Sequence, residues 1–168
     1  MTFTTLGSLP REFIASHAEL DAEEVAFGVT TGLLDPKDAI ALAEARFVRG
    51  FRDAATVAFA MILSEDADEV VDLARRTASL TTRDARPIWA YLIVAWAVEN
   101  TARTACDAII EELFAEFDYP TYIAPLVSWM PLGPRAEPGW EALEARRLNW
   151  LAEMERADRT RQSGNELT

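Results

Sequence analysis

Residues 84–100, DARPIWAYLIVAWAVEN, decide the fold class. Asp84 is placed to cap a helix, and the segment from Ala85 to about Asn100 is apolar on nearly every side. A helix of that kind is central in a core rather than laid on its surface. The uncharged run Ile88 to Val98 is about half the ~20 residues that a membrane-spanning helix needs, and Arg86 and Glu99 close around it. A central helix needs amphipathic partners, and the flanks supply them. From Thr104 to Phe117, Cys106, Ile110, Leu113, Phe114 and Phe117 recur at helical spacing, with Asp107, Glu111, Glu112 and Glu116 on the opposite side.

Working back toward the N-terminus, Pro10 opens a helix to about Ala18, with Ser8 as its cap. Asp21 and Glu24 form an acidic capping box for a helix carrying Val25, Phe27 and Val29, and Gly32 stops it. Asp35-Pro36 starts a third helix, striped by Ile40, Leu42, Ala43 and Phe47 and ended by Gly50. Asp53 begins a fourth that runs to Leu63. Asp66 with Glu69 begins a fifth, whose core side is Val70, Leu73, Ala74 and Ala78. The short Ser64-Glu65 turn predicts that these last two are antiparallel neighbours.

Toward the C-terminus, FDYP at Phe117 to Pro120 precedes a short helical piece with Tyr122, Ile123, Leu126, Val127 and Trp129, bent or started anew at Pro125. Residues 130–139, rich in Pro and Gly, read as a loop. A last helix from Trp140 to about Arg159 is expected to bury Leu143, Trp150, Leu151 and Met154, with a frayed tail over 160–168. No segment alternates as a strand would. The expected architecture is all-α: one domain over 1–168, an irregular bundle of about eight helices in antiparallel pairs. A HEAT-like stack is the alternative, placed second because no repeat of fixed period emerges.

At 168 residues the chain buries roughly 70% of its unfolded surface, enough for a core without disulfides or structural metal. The single Cys106 excludes an internal disulfide, and Cys106 with His17 falls short of a four-ligand zinc site. A net charge of -12 argues against nucleic acid or an anionic membrane as a direct partner, since both demand positive charge. Met1 to Pro10 does not read as a signal peptide, so a cytoplasmic protein, monomer or homodimer, is expected.

Chemistry-bearing motifs are sparse. His17 has no local nucleophile partner and reads as a residue near the end of the first helix. The seven glycines are scattered, with no phosphate-cradling spacing, and Cys106 reads as a small core residue. Neither cofactor nor metal is expected. Glu65 with Asp68, Glu69 with Asp72, and Glu141 with Glu144 share helix faces in the way that all-α magnesium-dependent nucleotide pyrophosphohydrolases hold their ions, against a plain solvated acidic face.

The distribution of charge is more informative. From Glu12 to Pro36 and from Asp53 to Ala74 there are six acids each and no Lys or Arg, and from Thr104 to Pro134 five acids and none. Like-charge pairs one turn apart, Asp107 with Glu111 and Glu112 with Glu116, each cost about 0.2–0.5 kcal/mol unless a cation meets them. No such cation lies on their helix, so the acidic helices are expected to lack internal partners. Aromatic residues follow directly. Asp107, Glu111, Glu112, Glu116, Asp118, Tyr119, Tyr122 and Trp129 are therefore the candidate partner-binding residues, while Trp89, Trp96 and Trp150 are expected in the core.

The stretch Pro87 to Pro131 carries WxYLxxxW at Trp89 to Trp96, Glu99-Asn100, Glu116 followed by FDYP, and WMP at Trp129 to Pro131. It resembles an uncharacterised bacterial family, a domain of unknown function built of small acidic helical proteins. Some of its members look like immunity proteins of polymorphic toxin or contact-dependent inhibition systems. Phe27-Gly28 to Ala43 and Asn149-Trp150 are similar as well, whereas Pro125 and its small neighbours depart from the charged residues expected there. The resemblance implies a toxin-neutralising binding protein whose acidic surface blocks a cognate, basic bacterial toxin domain. A general protein-interaction or scaffold domain is the alternative, and the nucleotide pyrophosphohydrolase stands third.

Overall fold

The computed structural model describes residues 3–63, 66–130 and 139–165. Among these the chain is all-α: α1 (Arg11–His17), α2 (Ala22–Thr31), α3 (Pro36–Val48), α4 (Ala54–Ala60), α5 (Ala67–Leu80), α6 (Arg86–Asn100), α7 (Arg103–Glu116), a 3-10 turn (Ala124–Leu126) and α8 (Trp140–Asn165). The Ser64-Glu65 turn, most of the expected loop (131–138) and the last three residues lie outside the described residues. The chain clusters into two compact units, Thr2–Trp89 and Ala90–Thr168, dividing within α6.

In the first unit the local signals set the helices. Asp21 Oδ1 accepts from the Glu23 and Glu24 N–H groups at 3.0 and 2.9 Å, and the Glu24 carboxylate accepts from Asp21 N–H at 2.9 Å, which completes the capping box of α2. Gly32 ends α2 at φ 77°, a left-handed conformation that costs glycine nothing. The chain then turns Leu33 and Leu34 into the core. Asp35 and Asp53 cap α3 and α4. Pro10, not Ser8, stands at the N-cap of α1, and no side chain caps that helix. α4 stops at Ala60 rather than Leu63, with Met61 and Leu63 exposed.

Packing in this unit centres on Trp89. Its indole N–H donates to Glu24 O at 2.8 Å, and its ring lies against Gly28, where a Cβ would sit 2.1 Å from Trp89 Cζ2. Only glycine permits that approach. α5 packs chiefly on α2, and α3 on α4, while α4 and α5 touch less than the short turn between them predicts. The α2–α5 pairing, between helices that are not consecutive in the chain, makes the unit an irregular bundle rather than a stack of consecutive helix pairs.

In the second unit the expected stripe of α7 is buried in full, from Cys106 to Phe117, together with Ile109. Ile123, Leu126 and Val127 add to that core, as do the α6 residues from Ala90 to Val94. The helical piece expected around Tyr122 to Trp129 is reduced to the single 3-10 turn that contains Pro125. α8 continues past Arg159 to Asn165. The Arg159–Glu155 pair, the Arg161–Asp158 pair at 2.5 Å and a Gln162–Asp158 hydrogen bond at 2.5 Å support its last turns. Of the residues expected to be buried on α8, Leu143 is buried, whereas Trp150, Leu151 and Met154 are half-buried. Trp89 is in the core as expected, and Trp96 is half-buried.

Candidate functional site

The end of α7 is shaped by two consecutive non-glycine residues in the left-handed region, Asp118 (φ 63°) and Tyr119 (φ 54°). Each costs about 1–2 kcal/mol relative to right-handed backbone, less for Asp than for Tyr. The Asp118 and Tyr119 N–H groups donate to Ala115 O at 3.1 Å and Phe114 O at 2.8 Å, closing the helix. The reversal swings the Tyr119 ring edge-on against the buried Phe114 ring, with centroids 5.2 Å apart at 86°. Trp129 approaches the same Phe114 ring at 6.2 Å and 64°. Tyr119 and Trp129 nonetheless remain 61% and 59% exposed. Phe114 is thus a platform that holds two large aromatic side chains at the surface.

The carboxylates of α7 divide. Glu112 and Glu116 are half-exposed, and Asp118 is exposed beside Tyr119. Glu111 accepts a hydrogen bond from Ser128 Oγ at 2.9 Å, which ties α7 to the segment carrying Trp129. Tyr122 is half-buried. Asp107 is drawn away from this group: its side chain is 24% exposed and pairs with Arg147 Nη2 at 2.7 Å.

Arg147, on the core side of α8, is 2% exposed. Its Nε and Nη2 both donate to Leu126 O, at 3.1 and 2.9 Å, and Nη1 lies 3.6 Å from Cys106 Sγ. One guanidinium therefore joins α7, the 3-10 turn and α8. The sequence left this residue unnoticed. Its signal was spacing, since Arg147 falls one helical turn after the buried Leu143, on the face turned inward.

The expectation that the acidic helices lack internal partners is corrected by such contacts. In the first unit Arg83 reaches Asp21 at 2.5 Å and Glu24 at 3.5 Å, and Arg46 and Arg49 each reach Glu19 at 3.0 Å. Arg46 also stacks over Phe51 at 3.8 Å, and its buried Nε has no hydrogen-bond partner among the described residues. The cations come from distant segments, which counting charges within a window does not see.

Beside Arg147, Val98, Arg103, Cys106, Trp140 and Glu144 line a cavity of about 230 Å³. The Arg103 guanidinium stacks on the Trp140 ring at 3.7 Å. Burial pushes the Cys106 thiol above its ordinary range, partly opposed by Arg147. His17 stacks on Phe13 at 4.0 Å, with Nδ1 2.9 Å from Phe13 O, at the end of α1. Among the described residues no group of three or more His, Cys, Asp or Glu is placed to hold a metal ion. Glu65, one of the paired carboxylates, lies outside them. No described helix is long and apolar enough to cross a membrane.

Residues 11–155, from the first residue of α1 to deep within α8, match the profile of DUF2247, described as uncharacterised proteins conserved in bacteria. The chain belongs to the DUF2247 family. The DUF2247 match contains both the aromatic turn at Tyr119 and the cavity at Arg147. No curated protein and no solved structure matches the chain.

Proposed function

We propose that the protein is an immunity-type binding protein, which neutralises a basic bacterial toxin domain in the cytoplasm through the acidic and aromatic surface at the end of α7. The observation that carries this reading is the pair Tyr119 and Trp129, exposed yet braced on the buried Phe114 ring, with exposed Asp118 preceding Tyr119 in the chain. Tyr and Trp are the side chains that most often anchor interfaces, and anchors held in place before binding lose little entropy on association. Backbone strain at Asp118 and Tyr119 fits a turn kept for recognition. The net charge of -12 complements a basic partner and speeds its encounter. A nuclease toxin, whose active site must attract nucleic acid, is the class best blocked by such a surface.

The test is recovery of the tagged protein from its native cells in moderate salt, with mass spectrometry of what stays bound. A stoichiometric basic toxin domain supports the reading, and its absence defeats it. With that partner in hand, charge reversal at Glu112 and Glu116 should slow association and flatten its salt dependence. Tyr119→Ala and Trp129→Ala should instead raise the dissociation rate by roughly 30-fold each, the worth of about 2 kcal/mol per anchor. Unchanged rates in all these variants place the contact surface elsewhere.

A further inference from the structure

We infer that the cavity beside Arg147 is a binding site for a small planar monocarboxylate, separate from the surface at the end of α7. Val98, the Cys106 thiol and the Trp140 ring supply apolar surface, and Arg103 and Arg147 supply guanidinium donors. The Arg103 guanidinium covers one face of the Trp140 indole, so a flat aromatic ligand would meet that ring at its edge, an arrangement aromatic groups favour.

The two arginines differ in what they still have to give. Arg147 is buried and held rigidly by Leu126 O and Asp107, but its Nη1 meets only the Cys106 sulfur, a weak acceptor, among the described residues. Arg103 is exposed and stacks on Trp140, and makes no hydrogen bond or ion pair among the described residues, so its planar fork of donors remains available. A carboxylate is the acceptor that such a fork fits in bidentate fashion.

Charge limits the ligand further. Asp107 offsets Arg147, and exposed Glu144 on the same cavity balances the charge of Arg103, so these four side chains carry no net charge. With no surplus positive charge the site opposes a dianion more strongly than a single negative charge, so a monocarboxylate held by the Arg103 fork is favoured over a phosphate dianion. The volume of about 230 Å³ is below the range of drug-sized pockets, about 300–1,000 Å³, and matches a single aromatic acid.

The full-length protein should be titrated with benzoate, with inorganic phosphate and benzamidine as controls. The Trp140 indole N–H signal, assigned by its loss in Trp140→Phe, provides the NMR readout. Saturable shifts with benzoate, weaker or absent with phosphate and absent with benzamidine, are expected. Arg103→Gln, an exposed change whose folding is checked by circular dichroism, should weaken benzoate binding at least about tenfold, as loss of a charge-assisted hydrogen bond predicts. Arg103→Lys, which keeps the charge and loses the fork, should fall between. Failure of benzoate to saturate, equal binding by phosphate or benzamidine, or undiminished binding by both Arg103 variants overturns the assignment.

Discussion

Replacement of Arg147 by Met tests whether one buried guanidinium holds the second unit together. Met retains much of the aliphatic volume, so the change removes hydrogen bonds and charge without opening a large cavity. Two partners are stranded. Leu126 O loses both of its bonds from Arg147 on a residue that is itself buried, and an unsatisfied buried acceptor costs about 1–3 kcal/mol. Asp107 loses a pair at 2.7 Å, but at 24% exposed it can rehydrate, which places its share near the lower end of the 1.5–3 kcal/mol typical of charge-assisted bonds. The total is about 2.5–4.5 kcal/mol, close to the cost of removing one partner from a buried pair. In urea denaturation followed by circular dichroism, with a slope of about 1–3 kcal/mol/M, the midpoint of the affected transition should fall by at least about 1 M. Adding Asp107→Asn removes the stranded carboxylate, so the double variant should lose less than the sum of the single losses. A loss below about 1 kcal/mol for Arg147→Met, or strict additivity with Asp107→Asn, would refute the reasoning.

Gly28→Ala drives a Cβ to within 2.1 Å of Trp89 Cζ2 and should cost about 1–3 kcal/mol or more, read as a lower thermal midpoint and a shifted tryptophan emission. Asp21→Ala removes the side-chain half of the α2 capping box and the Arg83 contact, and a loss of about 1–2 kcal/mol in denaturant titration is expected. The buried, upshifted Cys106 thiol should react with iodoacetamide at neutral pH far more slowly in the folded protein than in urea, and equal rates would contradict its placement. Because burial raises Cys106 and Tyr91 above their ordinary values of 9.0 and 10.0, the folded state keeps protons that the unfolded chain gives up. Stability should therefore fall as pH climbs past 9, and a flat thermal midpoint from pH 8.5 to about 10.5 would contradict that. Hydrogen bonding from Arg86 holds the Asp84 carboxyl below its ordinary 3.8, so its contribution is present at neutral pH and should be lost on acidification below that value.

Much of the helical layout was legible because its causes are local. The Asp21–Glu24 capping box, the Gly32 stop, the Asp35-Pro36 start and the buried stripe of α7 all arise within one or two turns of chain. The boundaries that moved lack such signals. Pro10 takes the cap of α1 without a side-chain bond, and α8 outlasts its apolar pattern because charged pairs one turn apart support its end. The candidate surface was legible in part: FDYP and Trp129 were in view, but not the left-handed pair that sets Tyr119 and Trp129 on one Phe114 ring.

The sequence by itself determined that this chain is all-α, that α6 lies in a core, and that acids far outnumber bases, since periodicity, capping and net charge are local or additive quantities. Which acids are spent on folding was decided only in three dimensions. Asp107 meets Arg147 across 40 residues, and Asp21 meets Arg83 across 62, so neither pairing has a trace in the window where the acid stands. The cavity lined by Arg103, Trp140 and Arg147 has the same origin, because side chains from α7 and α8 become neighbours only when burial of apolar surface brings their helices together.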